Sequence, residues 1–378
     1  MKIVIASDSF KGSLTSEEVA EAASEGIHAV FPDCTVCRVC VADGGEGTAD
    51  AILKATGGRT VSVKVHDPLM RPVTAAYAIT ADGGTAIIET AAASGLPLLS
   101  ETERNPMKTS TFGTGEMIAD AAGKGCRHFL IGLGGSATND AGTGLLTALG
   151  FRFTDKEGRL LDGKGESLEA IAAVDTSGVP EEIKASRFTA ACDVDIPFCG
   201  PEGAAYIFSP QKGADKGMAK ALDRGMVSFA SITFSSCGKD IRGLAGAGAA
   251  GGLGGALAAY LGAELVPGAE MILDAVGFDT MIRDADLIIT GEGRLDSQTS
   301  RGKIPYTVLQ HATEKGIPVI AITGSVPDRP GPDCSGFSAV FPVIPRPQAL
   351  KEAMDRDNAI RNIRRTVFQI MRTMKISL

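Results

Sequence analysis

A chain of 378 residues is longer than one hydrophobic core usually supports, so two domains are expected. Its formal net charge of −8 and its aromatic content of 5% exclude the basic, aromatic-rich surfaces on which nucleic-acid binding depends. The apolar run after Lys2 is too short for a secretory signal and residues 243–263 are mostly Gly and Ala, so no membrane span is expected and a cytoplasmic location is predicted.

The first 65 residues alternate between strand and helix patterns. Apolar runs rich in Ile and Val predict the strands, and Thr15 followed by Glu18 has the capping-box spacing that begins a helix. The predicted elements are a strand over 2–6, a helix over 16–31, a strand over 35–41, a helix over 48–55 and a strand over 60–65. This βαβα order predicts a parallel sheet with right-handed crossovers.

Residues 66–283 follow a different pattern, with a pair of hairpin strands, several helices and glycine-dense loops. Alternating strands and helices return from residue 284 and end in an amphipathic helix over 348–374. We therefore predict an α/β protein of two domains, in which residues 1–65 and 284–378 form a discontinuous parallel-sheet domain and residues 66–283 form an inserted α+β domain. The alternative is two sequential domains with a break near residue 150.

The loop SDSFKGSL, residues 7–14, joins the first strand to the first helix. Ligands collect at the carboxyl ends of parallel strands, and the N-terminus of the following helix attracts anions. Asp8, Ser9 and Lys11 are therefore candidates for binding a substrate, with the lysine supplying a full positive charge. The alternative is an ordinary polar turn.

The loop TGEGRLDSQTSRGK, residues 290–303, follows another predicted strand of the same sheet and combines both signs of charge. Arginine can bind a carboxylate through two parallel hydrogen bonds, and acids can orient a hydroxyl group or a metal ion. The candidates here are Glu292, Arg294 and Asp296. A loop of purely structural salt bridges is the alternative.

Two further acids are candidates for holding Mg²⁺ or for acting as a base. Asp43 lies in the glycine-rich loop ADGGEGT, and Asp193 follows the apolar segment TAA. None of the four histidines lies in a glycine-rich or charged loop, so a carboxylate is the expected base for a hydroxyl substrate. A solvated acid in a tight turn is the alternative for each of them.

Two glycine-rich segments are candidates for binding phosphates. GLGGSATNDAGTG, residues 132–144, places glycines and hydroxyl groups between an apolar strand and a helix, which suits a polyphosphate. GAGAAGGLGG, residues 246–255, matches G-x-G-x-x-G, but no apolar strand precedes it, which argues against a dinucleotide site and leaves close helix packing as the alternative. The candidates are Gly134, Gly135, Ser136, Thr138, Asn139 and Asp140 in the first segment and Gly246, Gly248 and Gly251 in the second.

The chain resembles the bacterial glycerate kinase family, type I, nearly from end to end. The motifs that carry the resemblance occur in the family's order: DSFKGSL, ADGGEGT, GLGGSATND, ACDVD with SPQKGA, the glycines after residue 245, and GEGRLDSQTSRGKIP. The resemblance implies phosphorylation of D-glycerate with ATP and Mg²⁺, usually at the 2-hydroxyl, in the breakdown of glyoxylate or of sugar diacids. It also implies a flavodoxin-like first domain. Ala141 stands where the family motif usually continues with glycine.

We hypothesise that the substrate and the nucleotide meet in a cleft between the two domains. Lys11 and Arg294 would hold the carboxylate of glycerate, with Arg71 as a further contact. The two glycine-rich segments would hold the ATP phosphates, and Asp193 or Asp43 would hold Mg²⁺. The catalytic candidates are Asp193, Lys11 and Asp43. Glycerate is the expected small-molecule partner, and the protein is expected to be a monomer or a homodimer.

Three other functions fit parts of the sequence. The first is phosphorylation of the 3-hydroxyl of glycerate. The second is an NAD-dependent hydroxy-acid oxidoreductase, which would take a similar substrate. The third is a two-domain binding protein without catalysis, which would share the anion site. Glycerate-dependent release of ADP distinguishes a kinase from the last two.

Overall fold

The computed structural model describes residues 1–41, 47–295, 302–326 and 335–377. The strands in these ranges are β1 (Lys2–Ser7), β2 (Thr35–Arg38), β3 (Gly58–His66), β4 (Pro72–Thr80), β5 (Thr85–Glu89), β6 (His128–Gly132), β7 (Arg152–Thr154), β8 (Ala173–Asp175), β9 (Arg187–Ala191), β10 (Glu264–Val266), β11 (Leu287–Glu292), β12 (Val319–Thr323) and β13 (Ala339–Pro342).

The α-helices in the same ranges are α1 (Ser16–His28), α2 (Thr48–Thr56), α3 (Ala91–Ser94), α4 (Phe112–Gly123), α5 (Thr143–Ala148), α6 (Glu181–Lys184), α7 (Ala204–Phe208), α8 (Lys216–Cys237), α9 (Ala249–Tyr260), α10 (Gly268–Ala275), α11 (Phe278–Ile282), α12 (Ile304–Glu314), α13 (Leu350–Ala353) and α14 (Arg356–Ser377). Short 3-10 helices cover Leu96–Leu98, Glu101–Glu103, Gly165–Ala170 and Pro210–Lys212.

The chain divides into two compact units, whose bounds differ from the predicted ones. The first unit contains residues 1–43 and 268–378, and the second contains residues 44–267. β3, which the sequence placed in the first domain, pairs with β4 along its whole length and therefore belongs to the second unit. α10 and α11, predicted in the insert, belong to the first unit, where α10 packs against α12.

The first unit is built on a five-stranded sheet in which every pairing is parallel. The strand order is β13-β12-β11-β1-β2, which is the 2-1-3-4-5 order of a flavodoxin-like fold when the strands are counted within the unit. Residues 3–6 of the interior strand β1 are 0% exposed, which explains their continuous apolar run. The flavodoxin-like prediction is confirmed.

β1 and β11 lie side by side, paired from Ile3 with Leu287 to Ser7 with Gly291. The direction in which strands are added reverses between these two strands, and open parallel sheets bind ligands outside the carboxyl ends of the strands at such a point. The loop after β1 and the loop after β11 therefore leave the sheet at the position where a ligand is expected.

The second unit contains a mixed six-stranded sheet with the order β10-β9-β6-β5-β4-β3. β3, β4 and β5 pair in antiparallel fashion, which confirms the predicted hairpin, while β5, β6, β9 and β10 are parallel. The register places Glu89 opposite Gly132 and Gly132 opposite Ala191. The loops that follow β5, β6 and β9 consequently leave this sheet at one edge.

The Gly- and Ala-rich segment forms helix α9 and its flanks, with left-handed backbone at Ala250, Gly251 and Gly252 near the start of α9, and residues 249–257 are buried. Helix α9 is part of the core of the second unit, which agrees with its lack of a polar face. Within the ranges that the structure describes, no helix combines the length and the apolar character needed to cross a membrane.

The amphipathic segment predicted over 348–374 forms two helices, α13 and α14, instead of one. Asp355 lies between them, and its Oδ1 accepts a hydrogen bond from the N–H of Asn358 at 3.1 Å. This bond satisfies one of the unpaired N–H groups at the start of α14, so Asp355 begins a new helix.

Helix α12 carries His311, whose ring lies between two acids of the first unit. Its Nδ1 is 2.9 Å from Asp279 Oδ1, and its Nε2 is 3.3 Å from a carboxylate oxygen of Glu270. Burial alone would lower the pKa of His311, but the hydrogen bond to Asp279 and the charge of Glu270 outweigh it and raise the pKa above its usual value of 6.5.

We expect the His311 cluster to stabilise the protein in mild acid. When folding raises a pKa, the stabilisation is complete below the unfolded-state pKa and is lost as the pH rises through the folded-state pKa. The urea midpoint of His311→Gln should therefore lie further below that of the wild type at about pH 5.5 than at about pH 8.5. His28→Gln, at an exposed ring, is the control. An equal difference at both pH values would contradict this assignment.

Candidate active site

A cavity of about 360 Å³ lies at the carboxyl ends of β1 and β11 in the first unit. The loops after these strands supply most of its polar lining. The predicted residues that line it are Asp8, Ser9, Lys11, Glu292 and Arg294, together with Lys303 from the same charged loop. The structure therefore brings together candidates that are separated by about 280 positions in the sequence.

The two acids of this cavity are buried. Asp8 is 5% exposed and Glu292 is 6% exposed. Asp8 Oδ1 accepts a hydrogen bond from the N–H of Ser9 at 2.6 Å, and the N–H of Asp8 donates to the carbonyl of Gly291 at 2.9 Å. The second bond ties the loop after β1 to β11, so the position of the Asp8 carboxylate is set by the sheet itself.

The cations of the cavity are more accessible than its acids. Lys11 and Arg294 are exposed, and Lys303 Nζ lies 3.7 Å from Glu292 Oε2. Three cations and two acids give the lining a positive balance, in a chain whose formal net charge is −8. A small anion with hydroxyl groups suits such a site, because the cations attract its charge and the buried carboxylates accept its hydroxyl hydrogens.

Part of this lining was not expected from the sequence. Ser13, Ser325 and Asn362 add polar groups, and an apolar side is formed by Phe10, Val343, Ile344, Leu350, Ala353, Met354 and Ala359. Lys303 carried a signal, because it is a basic residue at the end of the charged loop over residues 290–303. Asn362 carried none, because it reaches the cavity from the long helix α14 through packing alone.

In the second unit, the loop after β6 has an exposed part and a buried part. Gly134 and Gly135 are exposed, whereas Ser136 is 6% exposed and Thr138 is 0% exposed. Gly135 has a φ of +71°, a conformation that glycine adopts without strain. Within this loop, the two glycines are therefore the residues that can present N–H groups to a ligand.

Asp140 is fully buried and holds this loop in place. Its Oδ2 accepts hydrogen bonds from the N–H and the hydroxyl of Thr111, both at 2.7 Å, and the N–H groups of Gly142 and Gly144 donate to its carboxylate at 3.2 Å. Burial raises the pKa of Asp140, while these hydrogen bonds act against the shift. Asn139 is also 0% exposed. These contacts indicate that Asp140 supports the loop instead of touching phosphates.

Ala141 has a φ of +52°, in the left-handed region that an alanine occupies at a cost of about 1 kcal/mol. A glycine at this position would adopt the same conformation without that cost. The N–H of Ala141 donates to the carbonyl of Gly251 at 3.1 Å. That bond helps to hold the strained residue in place.

The second glycine-rich segment is buried and packs against the loop after β6. The N–H of Gly248 donates to the carbonyl of Ile196 at 3.0 Å, so it is already used within the protein. A Cβ atom on Gly251 would lie 2.2 Å from the carbonyl oxygen of Thr138, and one on Gly246 would lie 2.5 Å from Cys192 Sγ. These contacts favour the packing alternative and argue against the predicted phosphate contacts of Gly246, Gly248 and Gly251.

Asp193 lies just beyond β9, at the sheet edge where the loop after β6 begins. Both Asp193 and Asp195 are exposed. Mg²⁺ in kinase sites is commonly held by one or two carboxylates together with phosphate oxygens and water, so an exposed carboxylate near Gly134 and Gly135 fits this ion. Among the described residues, no group of three or more His, Cys, Asp and Glu side chains could hold a metal ion without such help.

Arg71 belongs to the second unit, in the turn between β3 and β4. Its Nε lies 2.6 Å from Asp67 Oδ2, and its Nη1 lies 2.5 Å from Glu103 Oε1. The side chain is still 48% exposed, so it can reach solvent while it is paired. The remaining candidates, Asp43 and Asp296, lie outside the described residues.

Comparison with known proteins gives the family. The model of the glycerate kinase family matches residues 3–375. The glycerate kinase of Bacillus subtilis (strain 168) is 43% identical over 378 residues, covering 100% of this chain and 98% of the relative. The glycerate 2-kinase of Escherichia coli (strain K12) is 43% identical over 379 residues, covering 100% of this chain and 99% of the relative.

A solved structure gives the same result. The crystal structure of a protein assigned as glycerate kinase 2 from Salmonella typhimurium LT2 matches with a TM-score of 0.89 and 43% identity, covering 100% of this chain and 99% of that one. The chain therefore belongs to the glycerate kinase family, whose members are phosphotransferases that use ATP with Mg²⁺.

Proposed function

We propose that this protein transfers the terminal phosphoryl group of ATP to the 2-hydroxyl of D-glycerate. The cavity after β1 and β11 is the observation that carries the proposal, because it sets exposed cations beside buried acids at the ligand-binding edge of the sheet. The Escherichia coli relative is named a glycerate 2-kinase, which favours the 2-hydroxyl over the 3-hydroxyl.

In this proposal the cavity of the first unit binds glycerate. Lys11 and Arg294 hold the carboxylate, and the guanidinium can do so through two parallel hydrogen bonds. Asp8 and Glu292 accept hydrogen bonds from the hydroxyl groups of glycerate. Ser9, which follows Asp8 in the loop after β1, adds a hydroxyl group to the site. An analogue without hydroxyl groups would lose these hydrogen bonds, so the site should bind it more weakly than glycerate.

The loop after β6 binds the phosphates of ATP. Its exposed glycines, Gly134 and Gly135, offer backbone N–H groups, and Ser136 offers a hydroxyl. Asp193 is the proposed carboxylate for Mg²⁺, which neutralises negative charge on the phosphates when it is bound. Asp43 and Arg71 remain proposed contacts. That both substrates meet in a cleft between the units is likewise still a proposal.

The residues named above suffice for phosphoryl transfer. The reaction needs little covalent chemistry from the protein and depends mainly on positioning and on stabilising the charge of the transferred group. Lys11 and Arg294 fix one end of glycerate, so the hydroxyl to be phosphorylated is held at a defined position. A carboxylate that accepts the proton of this hydroxyl raises its nucleophilicity, and Asp193 can take that role only where it does not hold Mg²⁺.

Incubation of the protein with D-glycerate, ATP and Mg²⁺ should release ADP and give a single phosphate ester. Phosphorus NMR of the product should match authentic 2-phosphoglycerate. A match to 3-phosphoglycerate would contradict the 2-hydroxyl while keeping the kinase activity. Absence of glycerate-dependent ADP release would contradict the whole proposal.

The NAD-dependent oxidoreductase is the alternative from another class. It predicts a rise in absorbance near 340 nm when NAD and glycerate are mixed with the protein without ATP. The burial of the G-x-G-x-x-G glycines argues against it, because a dinucleotide fingerprint must expose its backbone to the pyrophosphate. The cytoplasmic location, the monomeric or dimeric state and the catabolic pathway stay predictions.

A further inference from the structure

Lys212, the last residue of a short 3-10 helix of the second unit, is buried and has no role in the reaction proposed above. Lys212 is 2% exposed. Its Nζ donates hydrogen bonds to Ser136 Oγ at 2.9 Å and to the carbonyl of Thr138 at 2.7 Å. Both acceptors belong to the loop after β6, directly behind the exposed Gly134 and Gly135. The lysine thus contacts the proposed phosphate loop from its buried side.

The backbone around Lys212 is fixed. Its N–H donates to the carbonyl of Ser209 at 3.0 Å, and Gly213 after it has a φ of +94°. A Cβ atom on Gly213 would lie 2.2 Å from the carbonyl oxygen of Arg104, so another residue there would force this turn to move. The backbone that carries the Lys212 side chain is therefore held in a fixed position where this side chain contacts the loop after β6.

Among the described residues, the ammonium group of Lys212 has no direct counter-ion. In the described part of the chain no carboxylate lies within 4.0 Å of its Nζ. The negative charge of Asp140 favours the charged form of Lys212. The Asp140 carboxylate, however, already accepts hydrogen bonds from the N–H and the hydroxyl of Thr111. Burial lowers the pKa of Lys212 to about 7, with the charge of Asp140 opposing the shift. An unpaired buried cation destabilises a fold, so its presence calls for a compensating interaction.

A bound polyphosphate would supply that compensation. The loop also keeps polar atoms that the described residues do not satisfy: Thr138 Oγ1 and Asn139 Oδ1 are buried without a hydrogen-bond partner. Buried polar atoms are normally paired. The Thr138 hydroxyl can donate a hydrogen bond to a phosphate oxygen or to water, whereas Asn139 Oδ1 only accepts and needs a water or another donor.

We propose that Lys212 is a positioning residue for the nucleotide: it holds the loop from Gly134 to Thr138 in the shape that receives the phosphate chain and places a positive charge behind it. The inference rests on the proposed function in one respect, namely that this loop binds the phosphates of ATP.

Lys212→Met tests the inference, because methionine fills a similar volume but can neither donate a hydrogen bond nor carry a charge. We expect the KM for ATP and the dissociation constant of MgADP, measured by calorimetry, to rise about 10- to 100-fold, as for loss of a hydrogen bond from a charged group. The KM for glycerate should stay within about twofold. Lys212→Gln keeps hydrogen-bond donors but carries no charge. Its KM for ATP and its MgADP dissociation constant should therefore lie between those of the wild type and those of Lys212→Met. Lys216→Met, at an exposed lysine near the start of α8, is the control.

Folding of each variant is checked by circular dichroism. If Lys212→Met does not fold, the MgADP titration is made on Lys212→Gln, where at least a threefold weakening is expected. A folded variant with an unchanged MgADP dissociation constant overturns the inference. An equal loss of affinity for ATP and for glycerate also overturns the inference. Failure of both variants to fold overturns it as well, since Lys212 would then serve only the fold. The MgADP titration contains no glycerate, so it remains decisive if the wild type proves not to phosphorylate glycerate.

Discussion

Lys11→Ala should lower kcat/KM for glycerate by about 10²- to 10³-fold, the loss that follows removal of one preorganised donor from a site where charge must be held. The cavity lining contains this lysine together with the buried Asp8 and Glu292, so its removal takes away the excess of positive charge that faces an anionic substrate. Lys11 is exposed, and exposed substitutions seldom change stability by more than about 0.5 kcal/mol. The measurement is glycerate-dependent ADP release, with the melting temperature recorded alongside.

Two further variants make the Lys11 result specific. Arg294→Ala should cause a loss of similar size, because both cations are proposed to hold one carboxylate. Arg365→Ala, which removes an exposed charge from α14, should leave the kinetics unchanged. Near-normal turnover in Lys11→Ala would remove this lysine from the substrate site.

Asp193→Asn should reduce kcat by about 10²- to 10⁴-fold, the range found when a catalytic acid or base is lost. Asparagine keeps the size and the hydrogen-bonding oxygen of the side chain but loses its charge, so it binds Mg²⁺ weakly and cannot accept a proton. The experiment is a Mg²⁺ titration of the initial rate at saturating ATP. The concentration of Mg²⁺ that gives half-maximal rate should rise along with the fall in kcat.

The chain supplies a matched control for this experiment. Asp195 lies two residues further along the same loop and is also exposed. Asp195→Asn should change kcat by less than about threefold, since a solvated surface acid contributes little. If both variants behave alike, Asp193 has no special role and the acid must be sought elsewhere.

Much of the polar lining of the first unit's cavity could be predicted because its signals are local. Asp8 and Lys11 follow an apolar strand, and Glu292 and Arg294 follow another. A parallel sheet brings the carboxyl ends of its strands to one edge, so side chains that are distant in sequence lie around one cavity. The capping box at Thr15 is likewise present as predicted, with the N–H of Glu18 donating to Thr15 Oγ1 at 3.2 Å.

The two glycine-rich segments show the limit of such reasoning. Both have the composition of a phosphate-binding loop, yet Gly134 and Gly135 are exposed whereas Gly248 and Gly251 are buried. Glycine permits close approach of any atom to the backbone, and the sequence does not say whether that atom belongs to a ligand or to another segment of the chain. Burial distinguishes the two cases.

The sequence by itself determined the family, the flavodoxin-like sheet and the loops that carry Asp8, Lys11 and Arg294, because these features depend on residue order and on the period of apolar residues. Tertiary structure alone decided that β3 joins the second unit and that Lys212 lies behind the loop after β6. Strand pairing and the burial of a charge depend on contacts between distant segments, and a pattern read along one segment contains no record of its partners.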